Sequence, residues 1–332
     1  METERMDIST DSHGFSNEKN FESQVVLKEQ VTSFLKQHNG YEMMPVSYRL
    51  TVLDSELLLS KALAALVQNG EEIAPIWNSE NQCYDGIMAV TNLVNIIQYY
   101  YANFSYSEAM EDINNIKLKG FNDFLFRNDP LSNAITRNSP MESLHKISKN
   151  LLAASSRAIT LVDTDSNTGS DVIAATLNIY QILQFLIANF TEKKVMRSCS
   201  LYELGIGTYT NLITATMNTP VIDVVGLFVE HNISAVPIVD EKGELINAFA
   251  RSDMTYIIKE FMLEDLTISI QQAIDYRHSD FPGVHTCKKD DNLLSILSAL
   301  RNTQIQRFIV VDEKAKPEGI ITLRDILKAI IL

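Results

Sequence analysis

The sequence has little of what would mark a secreted, membrane-spanning or catalytic chain. Cysteine occurs three times, at Cys83, Cys199 and Cys287. Isolated and odd in number, these offer no disulfide framework and no zinc spacing, and they fit a reducing compartment. No apolar run reaches the roughly 20 residues that cross a bilayer; the most apolar stretch, 179–190, is broken by Gln181, Gln184 and Asn189. Positive charge is scarce, with 28 Lys and Arg against 42 Asp and Glu and a net charge of −14. That balance argues against nucleic acid or an anionic membrane as partner, yet leaves room for a small anion in a local basic pocket. Catalytic signatures are missing too. Gly205 and Gly207 do not extend into G-x-G-x-x-G, and there is no G-x-x-x-x-G-K-[ST] and no HExxH. Residues 1–23 lack a signal-peptide core and enough apolar side chains to offset ordering entropy, so they are predicted to form a disordered acidic tail.

What the sequence does have is self-similarity. Its 332 residues suit two domains of about 150 each. The stretch from Val224, VVGLFVEHNISAVPIVDEKGELINAFARSDMTYII, aligns without a gap on that from Ile296, ILSALRNTQIQRFIVVDEKAKPEGIITLRDILKAI, so that Asp240 meets Asp312 and Asp253 meets Asp325. Each copy reads as an amphipathic helix, a buried strand ended by Asp, a turn, a second strand and a second helix. The pattern recurs from near Ser47, where SELLLSKALAALVQNG is a helix with Gly70 as its C-cap, APIW a strand, and YDGIMAVTNLVNIIQYY a strand and helix. A weaker copy from Met141 carries the longer polar turn TDSNTGSD. The expected organisation is therefore α/β, with the tail followed by four repeats at 24–126 (with an N-terminal extension), 127–198, 199–270 and 271–332.

These units resemble CBS domains, and the order of motifs is similar to that of the gamma subunits of AMP-activated protein kinases and their fungal counterparts, the sucrose-non-fermenting kinases. The resemblance covers about residues 41–332 and rests on MPVSYRL, APIWNSE, GIGTYTNL, TPVIDVVGLF, ISAVPIVDEKG, FPGVHTC, RFIVVDE and GIITLRDIL. It implies two tandem modules in a flat disc, no catalytic activity, and AMP, ADP or ATP as regulatory ligand. It also implies a catalytic alpha and a scaffolding beta subunit as partners, a role in energy-stress control and glucose derepression, and a cytoplasmic and nuclear location. The segment Tyr41–Val46 resembles the family's N-terminal strand, expected to pair with the beta subunit.

Adenine nucleotide binding needs a carboxylate for the ribose hydroxyls, an apolar sandwich for the base, and cations for phosphate. By resemblance Asp253 and Asp325 are the ribose acceptors, and Arg277, Arg307 and Thr208 the phosphate contacts. Ile213, Ser234 and Ala235 match cleft-lining positions. Each has a plainer reading. Thr322 and Asp325 form a capping box; Asp253 lacks such a partner because Ala250 stands at the Thr position; a lone Arg is usually solvated; and Ile213, Ser234 and Ala235 could be core. The chain also departs from the family. Asn92 replaces a ribose carboxylate, Tyr180 and Gln181 a Lys-Arg pair, Gln306 a His and Glu72 a basic residue, and the spacing from Arg157 to Asp163 is one residue longer than in the family. The central basic cluster is thus expected to be depleted, with binding concentrated in the third and fourth repeats. A scaffold without nucleotide response and a free-standing CBS ligand-binding regulator are the alternatives.

Overall fold

The computed structural model describes residues 12–44, 47, 49–90, 94, 97, 115–120, 137–198, 200–261, 266–277, 281, 283–301 and 303–332, with the side chains of 12–22 and 258–261 excepted. Its helices are α1 (Ser12–Gln37), α2 (Leu59–Asn69), α3 (Leu144–Ala153), α4 (Ile179–Asn189), α5 (Lys194–Ser198), α6 (Val221–Glu230), α7 (Met254–Phe261), α8 (Ile270–Asp275), α9 (Leu293–Ala299) and α10 (Leu323–Ile331). The strands are β1 (Leu53–Asp54), β2 (Ile73–Asn78), β3 (Cys83–Ala89), β4 (Arg137–Asn138), β5 (Ala158–Thr164), β6 (Asp171–Asn178), β7 (Ala235–Val239), β8 (Leu245–Ala250), β9 (Thr286–Cys287), β10 (Arg307–Val311) and β11 (Pro317–Thr322).

Four hairpins carry the repetition in their register. The pairs β2–β3, β5–β6, β7–β8 and β10–β11 are antiparallel, and each breaks register at the same place, after Ile76, Leu161, Ile238 and Val310. A bulge at a fixed position is a built feature of a fold rather than an accident. At that same fourth residue each hairpin takes a parallel partner from upstream: Leu53 opposite Ile76, Asn138 opposite Leu161, Ala215 opposite Ile238, and Cys287 opposite Val310. Helix entry repeats as well. Ala89, Asn178, Ala250 and Thr322 close the second strands, so Asn92, Gln181, Asp253 and Asp325 fall at one equivalent position; Asn92 itself lies outside the described residues. The predicted C-cap is observed, with Gly70 at φ 68° receiving the end of α2.

The residue that leads into the first helix of each repeat is tied by a backbone bridge to a distant segment. Leu58 pairs with Lys117 and Pro220 with Ser269; Ser143 pairs with Asn39 and Asn292 with Ser200. Two of these bridges, Leu58–Lys117 and Pro220–Ser269, close a repeat on its own span, and the other two, Asn39–Ser143 and Ser200–Asn292, tie the start of one repeat to the next. Two expectations change here. Helix α1 begins at Ser12, inside the stretch read as a disordered tail. Gly40–Met43 is a 3-10 turn rather than a strand, because Asn39 caps it: the Glu42 N–H donates to Asn39 Oδ1 and the Asn39 N–H to Glu42 Oε1. The Gly40 and Tyr41 N–H groups already donate to the Glu142 and Pro140 carbonyls at 3.1 and 2.8 Å. Pro45 and Val46 lie outside the described residues.

Two apolar cores result, and they cross the sequence halves. One joins the first and third repeats, around Leu66, Ile76, Phe228 and Phe249. The other joins the second and fourth, around Leu151, Leu186, Leu297 and Leu327, and α1 is sealed into it through Leu27, Val31 and Leu35. No helix among the described residues is long and apolar enough to cross a membrane.

Candidate functional site

A cleft of about 910 Å³ opens between the third and fourth repeats, closed on one side by the end of α2. Asp253, Arg277 and Arg307 line it. Asp253 stands at the turn where β8 enters α7 and is 4% exposed. Its carboxylate accepts the Ala250 N–H at 2.7 Å, so Asp253 closes the helix entry even though Ala250 offers no side-chain cap in return. The same carboxylate grips Arg277 bidentately, Nε to Oδ1 at 2.8 Å and Nη2 to Oδ2 at 2.6 Å. Arg277 also donates to Asn247 Oδ1 at 2.8 Å and the Ala248 carbonyl at 2.5 Å, and its guanidinium lies 4.2 Å from the Phe281 ring centroid. The carboxylate and the cation expected to meet ribose and phosphate therefore meet each other.

Three buried polar atoms on residues lining this cleft have no hydrogen-bond partner among the described residues: Arg307 Nε, His285 Nε2 and Thr255 Oγ1. Buried polar groups are rarely left unpaired, and polar atoms left free beside a cleft can be met by water, an ion or a ligand in it. Burial also pulls the Arg307 guanidinium down from its ordinary pKa, against the opposing charges of Asp253 and Glu72.

A second cavity of about 100 Å³ adjoins the first, lined by Arg157, Arg251, Arg307 and Arg324 among others. This corrects the expectation of a depleted basic centre. Arg157 lines this cavity, from a backbone in the left-handed conformation, φ 58°, just before β5. Burial and then the neighbouring Arg251, Arg307 and Arg324 bring its pKa down to about 10. Arg251 is partly committed elsewhere, donating to the Ile233 carbonyl at 2.9 Å and to that of Phe228. Glu72 is open to solvent within the space, but the surrounding walls push its carboxyl above the usual range.

The second-repeat departures are structural. Tyr180 Oη donates to the Leu300 carbonyl at 3.0 Å, and Gln181 Oε1 accepts the Asn178 N–H at 2.9 Å in a capping box. In the fourth repeat Asp325 Oδ2 accepts the Thr322 N–H at 2.8 Å and its hydroxyl at 2.7 Å, while the Asp325 N–H donates to Thr322 Oγ1. Thr322→Ala is expected to lower stability by about 1 kcal/mol in urea denaturation; a loss below about 0.3 kcal/mol would mean the cap is redundant.

The other candidates divide. Ser234 and Thr322 line the smaller cavity. Thr208 is exposed and pairs with Ile320 through both backbone groups, at 2.9 and 3.0 Å. Gly207 permits that approach, since a Cβ there would fall 2.6 Å from Ile321 Cγ1. Ala235 is buried opposite Ala250 in the hairpin, and Ile213 packs on the core of the first and third repeats; neither lines either cavity. Sequence reasoning missed Asn247, Phe281, His285 and Thr255. Of these only Phe281 and His285 lay in a motif already singled out, FPGVHTC.

Comparison with known proteins agrees with this architecture. A family model for the CBS domain matches residues 206–260 and 279–332; the first two repeats fall outside that match and are identified by the shared register. The chain is similar in fold to MJ1225 of Methanocaldococcus jannaschii, with a TM-score of 0.65 at 16% identity, covering 88% of this chain and 99% of that one. It is 35% identical over 319 residues to the 5'-AMP-activated protein kinase subunit gamma of Saccharomyces cerevisiae, covering 96% of this chain and 97% of the relative. The Kluyveromyces lactis subunit is likewise 35% identical, over 93% of each chain. With that identity running nearly end to end over a fourfold CBS-type repeat, the chain belongs to the family of 5'-AMP-activated protein kinase gamma subunits.

Proposed function

We propose that this chain is the non-catalytic regulatory subunit of a heterotrimeric protein kinase, assembled with a catalytic alpha and a scaffolding beta subunit in cytoplasm and nucleus, and that it binds an adenine nucleotide in the cleft between the third and fourth repeats. The observation that carries the ligand reading is the set of unpartnered polar atoms, Arg307 Nε, His285 Nε2 and Thr255 Oγ1, around a cleft that also holds the Asp253–Arg277 pair. Binding then works as an exchange of partners. The ribose hydroxyls donate to Asp253 in place of the Arg277 guanidinium, Arg277 turns with Arg307 to the phosphate, and each charge keeps an opposite or donating neighbour. Asp325, with Thr322 at its helix entry, is the candidate for a second ribose, and Ser234 lines the smaller cavity beside it. Tyr180 and its hydrogen bonds favour a second repeat that takes no ligand.

Affinity purification from cells followed by mass spectrometry is expected to recover alpha-type and beta-type kinase subunits; recovery of neither would favour a free-standing regulator. Titration calorimetry with AMP, ADP and ATP is expected to give saturable binding. Arg307→Gln should weaken it about 10- to 100-fold, since a hydrogen bond to a charged group contributes roughly 1.5–3 kcal/mol. Partners without any nucleotide binding at millimolar ligand would leave the scaffold reading.

A further inference from the structure

The two cavities share a wall. Glu72, Ser252, Gln306 and Arg307 line both. Glu72 is fixed there by the fold, not by chance of side-chain reach. It immediately precedes β2, and its carbonyl accepts the Val90 N–H at 2.9 Å; the Ser234 carbonyl takes the Arg251 N–H at 3.0 Å and that of Gln306 the Leu323 N–H at 3.4 Å in the same way. The equivalent residues of the other three repeats are therefore Arg157, Ser234 and Gln306, one cationic and two neutral. Glu72 alone puts a carboxylate at this position, at a junction otherwise dominated by Arg157, Arg307 and Arg324.

We infer that Glu72 is a specificity-determining residue that sets how many phosphates the site accepts, an inference that rests on the nucleotide reading above. The smaller cavity is too small for a nucleoside, so the nucleoside belongs in the larger cleft with its ribose at Asp253. A single phosphate is satisfied by Arg277 and Arg307 on the cleft side. Each further phosphate must extend along the shared wall, past Glu72, toward Arg157 and Arg324. There it meets like charge, which Coulomb repulsion disfavours. The cations attract all three nucleotides; the carboxylate penalises the longer ones selectively.

The test is titration calorimetry of the full chain and its Glu72→Gln variant with AMP and with ATP, without divalent cations, which would neutralise the phosphates. ATP affinity is expected to rise about tenfold or more in Glu72→Gln, the order expected for removing one like charge beside the further phosphates, while AMP affinity changes less than about threefold. Glu72→Asp, which shortens the side chain but keeps its charge, should retain the preference for AMP and separates charge from shape. An unchanged ATP-to-AMP ratio in Glu72→Gln, or a loss of discrimination in Glu72→Asp equal to that in Glu72→Gln, overturns the inference and leaves the nucleotide site standing. Absence of heat from both nucleotides with the unaltered chain overturns the nucleotide reading, and this inference with it.

Discussion

Asp253→Asn is expected to lower the stability of the protein by about 3–5 kcal/mol, before any ligand is added. Removing one partner of a buried ion pair leaves the other charge without compensation, and that, rather than the lost attraction, dominates the cost. Here both side chains are about 5% exposed, and the pair is bidentate. Without the carboxylate, Arg277 keeps Asn247 Oδ1 and the Ala248 carbonyl, which are neutral acceptors. The loss would be a large part of a typical total of about 5–15 kcal/mol. The double variant Asp253→Asn with Arg277→Gln removes both charges and should recover at least half of it. Urea denaturation reads both outcomes. A single-variant loss below about 1 kcal/mol, or a double variant as unstable as the sum of its parts, would show that the pair is dispensable. Lost nucleotide binding in an Asp253 variant is informative only once its folding has been measured.

The repeat was legible because it is written in apolar patterning. The runs VPIV and FIVV and the helices around them bury their side chains, and burial leaves a period in the sequence. The fourfold match of bulge position was not legible, since a bulge depends on backbone register and not on residue type. The two-residue leading strands β1, β4 and β9 are too short to carry any period. At the site, Asp253, Arg277 and Arg307 were found by position, and the cleft does bring them together. That Arg277 grips Asp253 could not be read from residues 24 apart in sequence. Arg157 was left open because counting to Asp163 assumes a regular backbone, whereas the residue is left-handed, φ 58°, and lines the smaller cavity. Ile213 and Ala235 matched cleft positions by pattern, yet they pack as core, and apolar residue types fit both roles equally well.

Helix α1 supplies the second large effect. Composition placed the first 23 residues in a tail and assigned the following segment to the first repeat. The structure instead sets Leu27, Val31 and Leu35, one stripe at four-residue spacing, into the core of the second and fourth repeats, against α3, α5 and α10. Gln24 Nε2 donates to the Leu204 carbonyl at 2.9 Å, and Phe34 meets Phe190 edge-on at 5.5 Å. Burying each of the three aliphatic side chains contributes roughly 1.5–3 kcal/mol, so deleting residues 1–37 should cost on the order of 5–9 kcal/mol, comparable with the whole stability of a domain. Val31→Asp, which puts an unpartnered carboxylate at a fully buried position, should be nearly as damaging. Deleting only residues 1–22 should move the melting temperature by no more than a degree or two. Because the two cores are separate, the damage should be uneven. Hydrogen exchange in the 1–37 deletion is expected to lose protection first in α3, α4, α9 and α10, while α2 and α6 keep theirs. Uniform loss would mean that the two cores melt as one unit. Melting unchanged from that of the full chain would mean that α1 only rests on the surface, against the complete burial of Val31 and Leu35.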